Sequence, residues 1–150
     1  MEHETPAVLH PPPALQALYS LPLLLALWSL VNLVRRPSLP EGLFFAVALW
    51  LAWTTVPRGW AEVILAEEEL TLRMPLRRPR ALRRRQVIGG EMVGRFPWRV
   101  VLLRYHPMDS QGRVDIANEE FLPLVPLKDG ELVLEWLERK PHGTKTWPPS

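Results

Sequence analysis

The sequence contains no cysteine, and its fifteen arginines stand against only three lysines. The lack of cysteine excludes disulfide bonds, thiolate metal ligands and cysteine nucleophiles. Histidine is scarce too: the four present are scattered along the chain, without the spacing of a metal site. These absences argue against thiol-based redox proteins and against proteins with cysteine or histidine metal sites.

Motifs that carry catalysis are also missing. Ser110 is the one serine of the polar region and has no GxSxG frame around it. The GGxxxG stretch at 89–94 lacks the Lys-Ser/Thr of a phosphate-binding loop. Residues 109–120 have the length of a calcium loop, but Val114 stands where glycine is required. We therefore predict a protein that is not an enzyme and holds no cofactor or metal.

Two apolar runs dominate the first third of the chain. Ala14 to Val34 is 21 residues long and has no charged residue; at about 1.5 Å per residue it is long enough for a bilayer core of about 30 Å. Gly42 to Val56 follows after a short polar turn with two prolines, and is 15 residues long. The alternative is a cleaved signal peptide followed by a soluble core helix. Because Glu2 and Glu4 precede the first run, where a signal peptide is basic, the pattern favours a transmembrane hairpin.

Aromatic residues support the same interpretation. Trp50, Trp53 and Trp60 lie toward the end of the second run, and tryptophan is enriched where membrane helices meet water. We predict that these three side chains anchor the hairpin at the membrane interface. The predicted organisation is an N-terminal tail at 1–13, the hairpin at 14–58, a polar domain at 59–140 and a C-terminal tail at 141–150.

The polar domain shows β patterning followed by one helix. Leu70 to Leu76 alternates apolar and polar residues, which indicates a half-buried strand, and 98–105 is a second clear strand. Further short strands are predicted at 61–66, 81–88, 91–95, 114–117 and 121–127, with Gly89-Gly90 as a break. Asp129 is predicted to cap an amphipathic helix that ends near Lys140. Such a helix can cover the open face of a small, bent antiparallel sheet.

At this point the chain resembles a known family. Two apolar helices, the stretch EVILAEEELTLRMPLRRPRALRRRQVIGG and the helix PLKDGELVLEWLERK are similar to bacterial membrane proteins with a PH-like (pleckstrin-homology-like) domain. The resemblance covers about residues 14–140 and lies in organisation, without a signature motif. It implies a PH-like barrel or sandwich of antiparallel strands with a C-terminal capping helix. It implies little about biochemical role.

Positive charge is concentrated in one segment of the polar domain. Residues 73–104 carry ten arginines against Glu91, whereas 105–140 carry four basic and eight acidic groups. The candidate contact residues are Arg77, Arg78, Arg80, Arg83, Arg84 and Arg85. They can form a solvated face, partly paired with acidic residues of the C-terminal part. They can also contact anionic lipid headgroups or an acidic protein partner, since arginine suits phosphate and carboxylate.

These patterns favour a protein that acts by interaction. The leading expectation is a scaffold or accessory subunit of a membrane protein complex. The alternative is a membrane-surface module that binds anionic lipid through its arginines. Nucleic acid is a poor partner, because the arginine segment lacks interleaved aromatic residues. The larger basic block favours a cytoplasmic domain on the cell inner membrane.

Overall fold

The computed structural model describes residues 6–139 as two long helices, two antiparallel sheets and a short C-terminal helix. The helices are α1 Pro13–Arg35, α2 Leu39–Gly59 and α3 Glu131–Glu138. The strands are β1 Ala7–Leu9, β2 Glu62–Leu65, β3 Glu69–Arg73, β4 Arg80–Arg83, β5 Val87–Val93, β6 Val100–Tyr105 and β7 Glu120–Pro123.

Helices α1 and α2 form the expected hairpin. They have 23 and 21 residues, or about 34 and 32 Å, and both are long and apolar enough to cross a membrane. Only 11% of the most apolar part of each helix is buried, unlike the core helix of a soluble protein. Helix α2 is longer than the predicted 15-residue run, because Ser38 caps its start and Pro40 fits the first turn.

Small residues let the two helices approach each other closely. Ala26, Ala48 and Ala52 are buried along the hairpin. A side chain at Gly59 would place its Cβ 2.7 Å from the Cβ of Tyr19. Close approach of helix backbones in membranes depends on such small residues. Since Gly59 is near the end of α2, it fixes Tyr19 of α1 beside the point where the chain enters the sheet.

Strand β1 precedes the hairpin but belongs to the sheet that follows it. The four-stranded sheet has the order β1-β2-β3-β4, and Leu9 lies opposite Val63. The backbone of His10 also accepts a hydrogen bond of 3.0 Å from the amide of Lys128. The prediction of a tail at 1–13 therefore needs correction for Ala7–Leu9. Three residues followed by prolines are too short to show strand periodicity.

The second sheet has the order β5-β6-β7, and its first strand runs through Gly89-Gly90. The prediction that these glycines break the strand was wrong. A register irregularity lies between Val87 and Gly89, as in a β-bulge. A Cβ at Gly90 would lie 2.9 Å from Leu137 Cδ1. The glycine therefore leaves room for α3 on the sheet.

Other predicted strands are shorter than expected or absent. The predicted strand at 81–88 is divided into β4, a 3-10 turn at Arg84–Gln86 and the start of β5, so the chain passes from one sheet to the other. Within 114–117 only Val114 pairs, in a single bridge with Met108. Strand β7 ends at Pro123 and is an edge strand, as its prolines predicted.

Helix α3 covers the core between the sheets. Val133 and Trp136 are buried in one cluster with Leu70, Leu103 and Leu122. The helix begins after Gly130 without a side-chain cap, which corrects the predicted Asp129 cap; the Asp129 carbonyl instead accepts the Leu132 amide. Over residues 6–139, the two sheets do not close into a barrel. The predicted tail at 141–150 lies outside the described residues.

Candidate functional site

The loop between β3 and β4 lies at the end of the four-stranded sheet where the hairpin attaches. Helix α2 ends at Gly59 and β2 begins at Glu62. Glu62 lies opposite Arg73, the last residue of β3. Because the strands are antiparallel, the segment 74–79 emerges beside the base of the hairpin. This segment carries Arg77 and Arg78, and Arg80 follows it at the start of β4.

The structure separates the six candidate arginines into two groups. Arg77, Arg78 and Arg80 share the hairpin end, whereas Arg83 lies opposite Glu69 at the other end of the same sheet. Arg84 and Arg85 follow Arg83 in the 3-10 turn. Sequence proximity had suggested one surface, but a strand of four residues carries the chain away from the first group. Only the first group lies next to the hairpin.

Arg84 has a structural role in the second group. Its guanidinium donates to the backbone carbonyl of Trp136 and stacks over the Trp136 ring, 5.0 Å from the ring centroid. The indole Nε1 donates to the carbonyl of Ala66 at 2.6 Å. Arg84 and Trp136 thus join α3 to the β2–β3 turn, where Glu67 to Glu69 supply nearby negative charge.

A cavity of about 490 Å³ lies between the hairpin base and the two sheets. The volume is in the range of small-molecule sites, about 300–1,000 Å³. Its basic lining residues are Arg58, Arg77, Arg78 and Arg80. Its other lining residues are Tyr19, Leu72, Met74, Trp98, Val100, Leu122, Pro123, Leu124, Val125 and Pro126. The cavity therefore combines four arginines with a largely apolar wall.

Among residues 6–139, no carboxylate lines this cavity. Within residues 6–139, the one ion pair within 4.0 Å joins Arg104 and Glu119 at 3.9 Å, and neither residue lines the cavity. None of the six candidate arginines therefore forms an ion pair within 4.0 Å with an acidic residue of the described C-terminal part. Because four arginines gathered without a carboxylate among the described lining residues attract anions, the cavity is suited to an anionic ligand.

Three lining residues come from distant segments and were not predicted from the sequence. Arg58 lies in the last turn of α2, Tyr19 in α1 and Trp98 in the β5–β6 loop. The Tyr19 and Trp98 rings meet edge to face, with centroids 5.9 Å apart. No periodicity links residues so far apart in the chain. The position of Arg58 just beyond an apolar run was the one available signal.

The predicted tryptophan anchors occupy different depths of α2. Trp60 follows the helix directly, and its Nε1 donates to Ser20 Oγ at 3.1 Å. Trp53 lies about 9 Å before the helix end and Trp50 about 14 Å before it, at 1.5 Å per residue. All three side chains are exposed. Trp60 is therefore at the end of α2 and Trp50 near its middle, and the role of all three as interfacial anchors stays a prediction.

Tyr105 is an ionisable residue of the β domain whose pKa is shifted by its surroundings. The pKa of Tyr105 is raised, first by burial and then by its hydrogen bond to Glu120 and the charge of that carboxylate, while Arg80 lowers it. The phenol is therefore protonated at neutral pH and donates to Glu120 Oε2 at 2.5 Å. Within 6–139, no three His, Asp or Glu side chains meet in a geometry for a metal ion.

Comparisons with known proteins return no match: no family model, no curated protein and no solved structure is significantly similar to this chain. The PH-like assignment therefore stays a prediction. The two sheets and the terminal helix are observed parts of the fold.

Proposed function

We propose that this chain is an integral membrane protein whose two-helix hairpin carries a PH-like domain at the membrane surface. The length, composition and low burial of α1 and α2 support the hairpin. The two antiparallel sheets and α3 support a PH-like domain. Since β1 precedes the hairpin, the hairpin is then an insertion between the first two strands of the domain.

We propose further that the domain binds the headgroup of an anionic lipid. The observation that carries this proposal is the cavity at the base of the hairpin, which the described residues line with four arginines and no acidic side chain. Arginine donates in a planar fork that fits phosphate oxygens. Basic groups close to an anionic leaflet each contribute about 1 kcal/mol. The apolar wall of Leu72, Met74 and Trp98 can contact the glycerol and the upper part of the acyl chains of the lipid.

The depth of the cavity fits this ligand. Arg58 is 19 residues after Leu39, the first residue of α2, which corresponds to about 28 Å along the helix. A bilayer core is about 30 Å thick. When Leu39 lies at one boundary of that core, Arg58 therefore lies at the other. A lipid phosphate is found at the same level.

The test measures lipid retention by the full-length chain. The isolated segment 59–140 is unsuitable, because it would lack β1. Purified protein in non-ionic detergent is titrated with phosphatidylglycerol or with phosphatidylcholine of the same acyl chains, and complexes are counted by native mass spectrometry. We expect a preference for phosphatidylglycerol in the wild type. Replacing Arg77, Arg78 and Arg80 with glutamine removes about 3 kcal/mol, so binding weakens on the order of 100-fold.

A matched control carries the same change of net charge elsewhere. Arg83, Arg85 and Arg113 are exposed and lie outside the cavity lining. Their replacement with glutamine should leave the preference for phosphatidylglycerol intact. Equal loss in the two triple variants would show bulk attraction without a site. Equal retention of the two lipids by the wild type would refute headgroup binding.

The second candidate is a scaffold or accessory subunit of a membrane protein complex. It is favoured by β7, an edge strand of the second sheet that exposes Phe121. A free strand edge with an apolar side chain is a surface that other chains can pair with. A protein that co-purifies in fixed ratio from native membranes, and that a Phe121→Lys substitution removes, would support this role; a monodisperse monomer would count against it.

We place the domain on the cytoplasmic side of the inner membrane. The support is the basic block that follows α2, which outweighs Arg35 and Arg36 in the turn of the hairpin. Protease cleavage of the domain from the outer face of sealed, right-side-out vesicles would contradict this orientation.

A further inference from the structure

Two loops at the hairpin end of the domain present large apolar side chains to solvent. Leu76 in the β3–β4 loop is 79% exposed, and Phe96 in the β5–β6 loop is 89% exposed. Neither belongs to the buried core or to the residues packed against it. Contacts within the described chain therefore do not account for a leucine and a phenylalanine at these positions.

The backbone at Leu76 is also unusual for its residue type. Its φ is +61°, in the left-handed region. That region favours glycine and disfavours side chains with a Cβ. A leucine that neither packs nor suits its backbone points to a use for the side chain outside the domain.

Arginines flank both exposed side chains, Leu76 and Phe96, which are called the apolar tips below. Arg77 and Arg78 follow Leu76, while Arg95 and Arg99 bracket the Phe96 loop, and all four are exposed. Apolar side chains beside basic ones are typical of segments that lie in the headgroup region. There the apolar group enters the acyl boundary and the cations meet phosphate.

The hairpin sets the depth of these loops. Trp98 packs against Tyr19, which is 16 residues before Arg35 at the other end of α1, or about 24 Å along the helix. That distance is less than the hydrocarbon thickness of about 30 Å. With Arg35 at the far boundary, the Trp98 ring therefore meets α1 at or just inside the near boundary, and Phe96 is two residues away.

We propose that Leu76 and Phe96 insert into the bilayer as a pair of apolar tips, and so hold the domain against the membrane in one orientation. The occupant of this surface is the lipid bilayer. The proposal rests on the membrane hairpin but does not require a headgroup in the cavity.

The test uses the absence of cysteine from the chain. Single cysteines are introduced in the full-length protein as Leu76→Cys, Phe96→Cys or Ile116→Cys, and each is labelled with an environment-sensitive fluorophore. Ile116 is the matched control: it is 78% exposed and lies in the loop at the opposite end of β6. The proteins are reconstituted in vesicles of phosphatidylcholine, alone or with phosphatidylglycerol.

We expect labels at 76 and 96 to emit at shorter wavelength and to be quenched by nitroxide-bearing lipids, whereas the label at 116 is quenched by aqueous iodide. Labels at 76 and 96 that respond only to iodide in both kinds of vesicle would overturn the proposal. Protection from both quenchers, as a protein partner or a second copy would give, would also overturn it. So would equal lipid quenching at all three positions.

A second variant separates insertion from folding. Leu76→Gly suits the positive φ and removes no packed side chain, so thermal stability in detergent should be unchanged or raised. With the label at 96, this variant should show weaker lipid quenching than its parent. Insertion that persists in phosphatidylcholine alone would support the tips even if the cavity showed no preference for anionic lipid.

Discussion

Replacing Trp136 with alanine is expected to lower the free energy of unfolding of the β domain by about 3–5 kcal/mol. The indole is buried between α3 and the sheets, and its Nε1 donates to the Ala66 carbonyl. The ring also stacks with Arg84, whose guanidinium holds the end of α3 through the Trp136 carbonyl. Truncation therefore leaves a cavity, an unsatisfied carbonyl and an arginine without its aromatic surface.

Urea unfolding of the detergent-solubilised protein, followed by near-ultraviolet circular dichroism, measures this effect. Trp136→Phe is the control, because it keeps most of the ring and loses the hydrogen bond to Ala66. It should cost about 1–2 kcal/mol. A phenylalanine variant as unstable as the alanine variant would mean that the hydrogen bond, and not the packed ring, joins α3 to the sheet.

Replacing Leu9 with aspartate is expected to destabilise the domain by about 3–5 kcal/mol, since it places a charge without a partner in the core. Leu9 is 5% exposed and belongs to the main core cluster through its place opposite Val63. A tail before the hairpin would tolerate this substitution without any change in stability.

The neighbouring residue supplies the control. Val8 is in the same strand but points the other way, and it is 45% exposed. Val8→Asp should change the unfolding free energy by less than about 1 kcal/mol, as surface substitutions do. Similar urea midpoints for the Leu9 and Val8 variants would contradict the observed pairing of β1 with β2.

Local periodicity predicted the elements that bury one face along their whole length. The alternation from Leu70 predicted β3, because Leu70 and Leu72 are both core residues. The strand predicted from this alternation was too long, because β3 ends at Arg73 and Leu76 lies in a solvent-exposed loop. Alternation cannot show where pairing stops, since that depends on the partner strand.

The features that were not predicted depend on contacts between residues far apart in the chain. Gly90 lies within a strand because Leu137, far along the chain, occupies the space of its missing side chain. The arginine candidates were found by charge density, but sheet register decided that Arg77, Arg78 and Arg80 lie at the hairpin while Arg83 does not. Arg58 lines the same cavity because the end of α2 packs beside the two sheets, a contact that the sequence does not indicate.

The placement of β1 before the hairpin has a consequence for biosynthesis. Ala7–Leu9 leaves the ribosome before either apolar helix, yet its partner strand follows both. If the helices cross the bilayer, the first sheet is completed only after the chain has traversed it and come back. If only one helix crossed the bilayer, Ala7–Leu9 and Glu62–Leu65 would lie on opposite sides of the membrane and could not pair. Completion of the four-stranded sheet would therefore depend on both helices having crossed the membrane.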